Sequence, residues 1–173
     1  NVIAYDPYQS AAEIAAKGAT KVEFDELLAK SDFITVHCPR TEETLNMFGA
    51  DQFRAMKDTA VFVITARGGI VDEDALVAAL KARDIVGAGV DVFWEEPTHP
   101  DHPLMKLDNV LLTPHHAGIT HEAAYNMSAG GAEQLIELLR GQVPPRLVNP
   151  EVWPAFQDRF ERIMGFRPVD LPQ

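Results

Sequence analysis

Short apolar runs and helical stretches alternate along this chain, and that alternation constrains its fold more than any other feature. The apolar runs fall at residues 2–5, 33–36, 61–64, 85–90 and 110–112. Each has the length of a strand buried on both faces. Helical stretches lie between them, at 11–17, 25–30, 51–56 and 72–83. In the last, Ala75, Leu76, Ala79 and Leu80 make one apolar stripe, and Asp72, Glu73 and Asp74 suit the positive end of the helix dipole. A weaker strand is expected around 20–22. Alternation of this kind predicts an α/β fold, a parallel sheet covered by helices.

A long helix is expected from Thr120, whose hydroxyl can cap it, to about residue 140, where Gly141 follows. Gly141-Gln142-Val143-Pro144-Pro145 then breaks the chain. Residues 146–173 are rich in proline and aromatics, and are expected to pack against something other than the sheet. At 173 residues there is enough chain for one full core and a small appendage.

Fifteen basic against 26 acidic residues give a net charge of −11, which disfavours nonspecific binding to nucleic acid or anionic membranes. The only cysteine, Cys38, excludes an internal disulfide and suits a reducing compartment such as the cytoplasm. No apolar run approaches the roughly 18 residues of a membrane span. The opening Asn1-Val2-Ile3-Ala4-Tyr5-Asp6 reads as a strand rather than a leader.

The first run ends in Asp6, followed by Pro7 and Tyr8. In dinucleotide-binding folds an acidic residue at the end of the second strand accepts hydrogen bonds from the adenosine ribose hydroxyls. The glycine-rich phosphate turn lies about 20 residues before it. Only five residues precede Asp6, and no G-x-G-x-x-G opens a helix anywhere in the chain. Gly87 and Gly89 lie in or beside a strand and are assigned to helix–sheet packing. The expectation is a Rossmann-like, doubly wound parallel sheet lacking its first strand and glycine-rich turn, hence the later part of a longer polypeptide. The absent strand would be central, leaving two inner edges unpaired at a cost. A native intact mass near 19.1 kDa would contradict this expectation.

Three frames carry the chemistry: Thr65-Ala66-Arg67-Gly68-Gly69, then Asp91-Val92-Phe93-Trp94-Glu95-Glu96-Pro97, then Thr113-Pro114-His115-His116-Ala117-Gly118. An arginine in a glycine turn can grip a carboxylate bidentately and favour negative charge on a reacting oxygen. A histidine exchanges protons near neutral pH, and an adjacent carboxylate adjusts its proton affinity. Together they meet the needs of an enzyme moving a hydride to or from the carbon beside a carboxylate. Each also has a plainer reading. Arg67 could be a surface arginine in a glycine turn, the histidine could serve packing or capping, and Asp6 could simply open an Asp-Pro turn. By residue type alone, His116 competes with His115 and Glu95 with Glu96.

The three frames, in this order, resemble those of the D-isomer-specific 2-hydroxyacid dehydrogenases, which include D-glycerate, hydroxypyruvate/glyoxylate, D-lactate and D-3-phosphoglycerate dehydrogenases. The resemblance runs from residue 1 to about 149 and is strongest from 65 to 120. It implies two Rossmann-like domains with the active site in the cleft between them. Residues 1–120 would be an N-terminally incomplete NAD-binding domain. Residues 121–173 would be the helix crossing back, followed by a C-terminal segment of the second, substrate-binding domain. It further implies that Arg67 holds the substrate carboxylate and that the acid–base residue stands immediately after Pro114, which selects His115. The carboxylate five positions beyond Asp91, directly before Pro97, is Glu96; it would fix the imidazole tautomer and stabilise imidazolium. Related formate dehydrogenases carry an amide there, so the acid disfavours that variant.

The implied cofactor is NAD. Asp6 would bind the adenosine ribose diol and repel a 2′-phosphate, and no arginine follows closely to accept one. The His37-Cys38-Pro39 loop would run along the cofactor through its backbone, leaving Cys38 no nucleophilic role. Thr65 and Asp91 match positions near the nicotinamide carboxamide, Ala66 and His115 are implied as further cofactor contacts, and Gly118 permits close backbone approach. The implied partners are a small 2-hydroxy or 2-keto acid and a second copy of the chain. Two rivals differ in class. A metal site built from His99, His102, His115 and His116 fits neither H-E-x-x-H nor a Cys/His pattern, and adjacent histidines rarely both ligate one ion. A non-catalytic NAD-sensing protein of the corepressor type would keep the same three residues.

Overall fold

A computed structural model describes residues 1–172, which form two compact units, Asn1–Ala117 and a second that begins at Gly118. The first unit runs β1 (Ile3–Ala4), α1 (Ala11–Ala16), β2 (Thr20–Lys21), α2 (Phe24–Lys30), β3 (Phe33–Val36), α3 (Ala50–Ala55), β4 (Val61–Ile64), α4 (Glu73–Ala82), β5 (Gly87–Val90) and β6 (Val110–Leu112). All strand pairing is parallel: β1 with β2, and a four-stranded sheet in the order β3-β4-β5-β6. Parallel neighbours must be joined by crossovers, and α3 and α4 supply them between β3, β4 and β5. This is the Rossmann-like α/β architecture expected from the alternation.

Local chemistry sets the helix ends. Ser10 and Glu13 form a capping box at the start of α1. The Asp72 carboxylate caps α4 by accepting the Ala75 amide at 3.1 Å, and Arg83 closes that helix in the left-handed region. The core gathers Leu28, Phe53, Phe62, Ile64, Ile70, Leu76, Leu80, Ile85 and Leu104, all under 2% exposed or nearly so. Each such side chain contributes about 1.5–3 kcal/mol on burial. An aromatic ladder, Tyr5–Phe24–Phe48–Phe62–Phe53, carries packing from the end of β1 into that core, with ring centroids 5.0–5.5 Å apart.

The sheet departs from the sequence reading in one respect. Burial on both faces was expected, but one set of residues alone is fully buried: Ile34, Val36, Phe62, Ile64, Ala88 and Val90. Phe33 and Thr35 of the alternate set are exposed, and Val61, Val63, Gly87 and Gly89 are half-buried. Apolar composition does not reveal which face receives the helices. Gly87 and Gly89 lie on this half-covered face. A Cβ there would meet the Asn109 carbonyl at 3.0 Å or the Val63 side chain at 3.7 Å, which are loop and strand rather than helix.

In the second unit α5 (His121–Leu139) is capped by Thr120, whose hydroxyl accepts the Ala123 amide at 3.0 Å. Residues 150–152 form a 3-10 turn leading into α6 (Trp153–Met164). The proline- and aromatic-rich tail is therefore largely helical. Trp153, Gln157 and Phe160 form its buried stripe, at i, i+4 and i+7. The Gln157 amide donates to the carbonyls of Pro168 and Val169 and to Asp170, and the Trp153 indole donates to Val169 O at 2.9 Å. No helix among the described residues is long and apolar enough to cross a membrane.

Candidate active site

Strand register sets where the chemistry lies. Val36, Ile64, Val90 and Leu112 are paired across β3, β4, β5 and β6, and each ends its strand. The next residues, His37, Thr65, Asp91 and Thr113, therefore open four loops along one rim, the carboxyl ends of a parallel sheet. Open α/β sheets bind ligands at that rim. Nearly all residues selected from the sequence lie on those loops.

The loop after β6 carries His115, whose φ of 56° places a non-glycine residue in the left-handed region. Several bonds hold it there. The His115 amide donates to the Asp91 carbonyl at 2.8 Å. The Asp91 carboxylate, only 3% exposed, accepts the Thr113 hydroxyl and the His116 amide on one oxygen and the Ala117 amide on the other. Burial alone would push that carboxyl's pKa up. The bonds from Thr113, Ala117 and His116 outweigh it, so the group ionises below the ordinary range. Asp91 thus latches the β5 end to the turn presenting the imidazole, and both its oxygens are engaged inside that turn.

His115 Nδ1 lies 2.8 Å from Glu96 Oε2, and both side chains are partly exposed. The other carboxylate oxygen, Oε1, accepts the Phe93 amide at 2.9 Å. The bond from His115 and that from Phe93 lower the Glu96 pKa, so Glu96 is a carboxylate at neutral pH and His115 donates from Nδ1. That leaves Nε2 as the ring nitrogen not engaged by Glu96. A cavity of about 370 Å³ adjoins the pair, lined among others by Phe93, Pro97, Met105 and Leu112.

Arg67 sits in the loop after β4. One of its guanidinium nitrogens donates to Ala66 O at 2.7 Å, and among the described residues no carboxylate lies within salt-bridge distance. Its turn is packed tightly: a Cβ on Gly68 would lie 1.8 Å from the Phe93 carbonyl oxygen, and Gly69, with φ 82°, lies under the Trp94 ring. The Arg67 turn is thereby docked on the loop bearing Glu96. The loop after β3 joins from the other side, where Arg40 donates to Gly68 O at 3.2 Å and the Asn46 amide to Gly69 O at 2.8 Å. In that loop His37 Nε2 lies 2.9 Å from the Thr35 hydroxyl, Cys38 is half-buried with a pKa raised by burial, and Pro39 O accepts the Thr44 hydroxyl.

Asp6 stands apart, beyond β1, with one carboxylate oxygen accepting the Tyr8 amide at 2.8 Å. Among the described residues its second oxygen takes no hydrogen bond, which suits an acceptor for a ribose diol. The rim loops and Asp6 fit the ribose and nicotinamide ends of a dinucleotide, but no glycine-rich turn for its pyrophosphate occurs among the described residues. Gly118 opens the second unit, with open space where a Cβ would project. Three of the four histidines considered as a metal cluster take separate partners: His115 meets Glu96, His102 meets Glu73, and His99 accepts the Asp101 amide. Sequence reasoning missed Glu73 and His102 as a pair. Glu73 was read only as a helix-dipole acid, and 29 residues separate the two.

A parallel sheet thus carries a histidine–carboxylate pair and an arginine turn on its carboxyl rim. The chain belongs to the D-isomer specific 2-hydroxyacid dehydrogenase family, whose NAD-binding domain profile matches residues 1–117. It is 47% identical over 167 residues to D-3-phosphoglycerate dehydrogenase of Archaeoglobus fulgidus, covering 96% of this chain and 31% of that protein. It is 51% identical over 135 residues to glyoxylate reductase of Korarchaeum cryptofilum, covering 78% and 41%. Among solved structures it is similar to D-lactate dehydrogenase with NAD+ from Lactobacillus jensenii, at a TM-score of 0.78 and 31% identity, over 86% of this chain and 48% of that one. The chain thus spans about 31% to 41% of the length of these curated relatives.

Proposed function

We propose that this chain is the NAD-binding and C-terminal part of an enzyme interconverting a D-2-hydroxy acid and its 2-keto acid. The observation that carries the reading is the His115–Glu96 pair, held at 2.8 Å on the same rim as Arg67. Bound NAD(H) supplies or accepts the hydride. In the reducing direction Arg67 holds the substrate carboxylate through two guanidinium donors and draws charge toward the carbonyl oxygen. His115 gives that oxygen a proton from Nε2, and Glu96 stabilises the imidazolium before transfer. In oxidation the same Nε2 takes the hydroxyl proton. Asp6 favours NAD over its 2′-phosphorylated form by charge. Thr65, Ala66, Asp91, Gly118 and the His37-Cys38-Pro39 backbone line the cofactor's path, with Asp91 also locking the His115 turn.

Residues 1–120 constitute the NAD-binding domain, and 121–173 the crossing helix and return to the substrate domain. The enzyme is a cytoplasmic homodimer without nucleic-acid or membrane partners, a reading supported by its acidity, its single cysteine and its family. The test is loss of NADH absorbance with a panel of glyoxylate, hydroxypyruvate and pyruvate, using the full natural polypeptide. Turnover that falls about 100-fold or more in His115→Ala is expected, the scale of a general acid. Absence of turnover with every 2-keto acid, together with NADH-dependent binding of a protein partner, would replace this reading with the corepressor-like one.

A further inference from the structure

Two carboxylates grip consecutive amides in the loop after β5. The Phe93 amide donates to Glu96 Oε1 at 2.9 Å, and the Trp94 amide donates to Glu73 Oε1 at 2.6 Å. Each carboxylate holds a histidine with its other oxygen: His115 on Glu96 at 2.8 Å, His102 on Glu73 at 3.0 Å. The second pair is the better buried, with side chains 19% and 22% exposed against 43% and 37%. Its tautomer is determined by the backbone. His102 Nδ1 accepts the Leu104 amide at 3.3 Å, so Nε2 carries the proton donated to Glu73. The Phe93 ring meets the His102 imidazole edge-on at 5.7 Å.

The peptide unit joining Phe93 to Trp94 is therefore held at both ends. Its N–H is bound by Glu73, and its carbonyl is pressed against Gly68 of the arginine turn. Residues 91–97 form no helix or strand, so these contacts take the place of a hydrogen-bond ladder. Rotation of that peptide would carry the adjoining Phe93 amide away from Glu96 Oε1. Glu96 would then lose the anchor that aims Oε2 at His115. We infer that Glu73 and His102 are positioning residues: they fix the Phe93–Trp94 peptide and through it the direction from which Glu96 engages His115. Only the kinetic consequence rests on the hydride-transfer reading; the structural one does not.

The test has two arms on Glu73→Ala and His102→Leu, with His102→Gln as the conservative variant that keeps a donor to Glu73. Val77→Ala, a buried change one turn along α4, is the control for simple loss of stability. The first arm reads the His115 ring nitrogens by 15N NMR of the full natural polypeptide, without cofactor or substrate. Expected is movement of the His115 signals toward an unpaired imidazole in Glu73→Ala and His102→Leu, and wild-type signals in His102→Gln and Val77→Ala. The second arm measures kinetics of the full natural polypeptide. Expected is a fall in kcat of about 10-fold, the scale of one net hydrogen bond, with the KM for NADH unchanged and the kcat–pH profile displaced. If Glu73→Ala does not fold, His102→Leu decides the matter. His115 signals indistinguishable from those of Val77→Ala in the folded variant overturn the proposal. A wild-type protein without turnover would overturn the dehydrogenase reading while leaving the NMR arm to decide this one.

Discussion

Asp91 holds the His115 turn by its backbone and its side chain at once: its carbonyl accepts the His115 amide at 2.8 Å, while its buried carboxylate accepts the two amides that follow. Strand end and histidine turn are in this way joined as one piece, and the left-handed conformation of His115 is maintained by bonds on either side.

Asp91→Asn should therefore destabilise the fold without removing volume. The amide retains one acceptor and turns an N–H toward a donor, either Ala117 or the Thr113–His116 pair. A loss of about 1–3 kcal/mol is expected for the unsatisfied buried groups, measured as a lowered urea midpoint at constant m. An unchanged midpoint would show that the latch contributes nothing to stability.

The two carboxylates also determine how stability responds to acid. In the folded chain the His115 and Phe93 bonds hold Glu96 low. For Asp91, burial is outweighed by Thr113, Ala117 and His116. Folded pKa values below unfolded ones mean that the unfolded chain binds more protons as the pH drops. Their contribution is present in full above the unfolded carboxylate range, about pH 4, and disappears as the pH falls through the folded values. Urea unfolding from pH 7 to 3 should show no change on their account above pH 5 and a decline below about 4. Glu96→Gln should make that decline shallower; an identical slope contradicts the assignment.

If the guanidinium both binds and polarises the substrate as proposed, Arg67→Ala should raise the KM for the 2-keto acid and lower kcat together. The combined fall in kcat/KM is expected at about 10-fold to 100-fold, matching the ~1.5–3 kcal/mol of a charge-assisted hydrogen bond. Arg67→Lys should recover only part, since an ammonium cannot present two parallel donors. A steady-state comparison across one substrate checks both.

Gly68→Ala is the severe test of the docking between loops. The added methyl would stand 1.8 Å from the Phe93 carbonyl oxygen, a backbone atom that cannot swing aside. A loss of about 1–3 kcal/mol or more is expected from this overpacking, together with displacement of the His115 signals in the NMR spectrum. Gly118→Ala, where no atom lies within 4 Å, should leave the thermal midpoint unchanged.

Much of the fold was legible because buried strands carry short apolar runs. β3, β4 and β6 occupy the residues expected from the sequence, and α4 begins after its Asp72 cap as the acidic first turn predicted. α6 was not, because a tail dense in proline and aromatics reads as irregular chain. Pro154 sits in the first turn of that helix, where a missing N–H costs nothing, and the buried stripe includes a polar residue, Gln157, that breaks the apolar pattern. At the site, the Thr113–His116 and Asp91–Pro97 frames were visible as local strings. The Asp91 latch and the Glu73–His102 pair were not, since they join residues 22 to 29 positions apart, and one sequence without structure offers no measure of such pairings.

β1 and β3 each present one strand edge with no partner among the described residues, and on β3 that edge carries Phe33 at 77% exposure. Unmatched main-chain donors and acceptors beside an exposed phenyl ring make a template for any extended peptide that drifts past. Prepared alone at high concentration, this polypeptide should tend to cluster through that rung. A short soluble strand offered in excess should keep it dispersed.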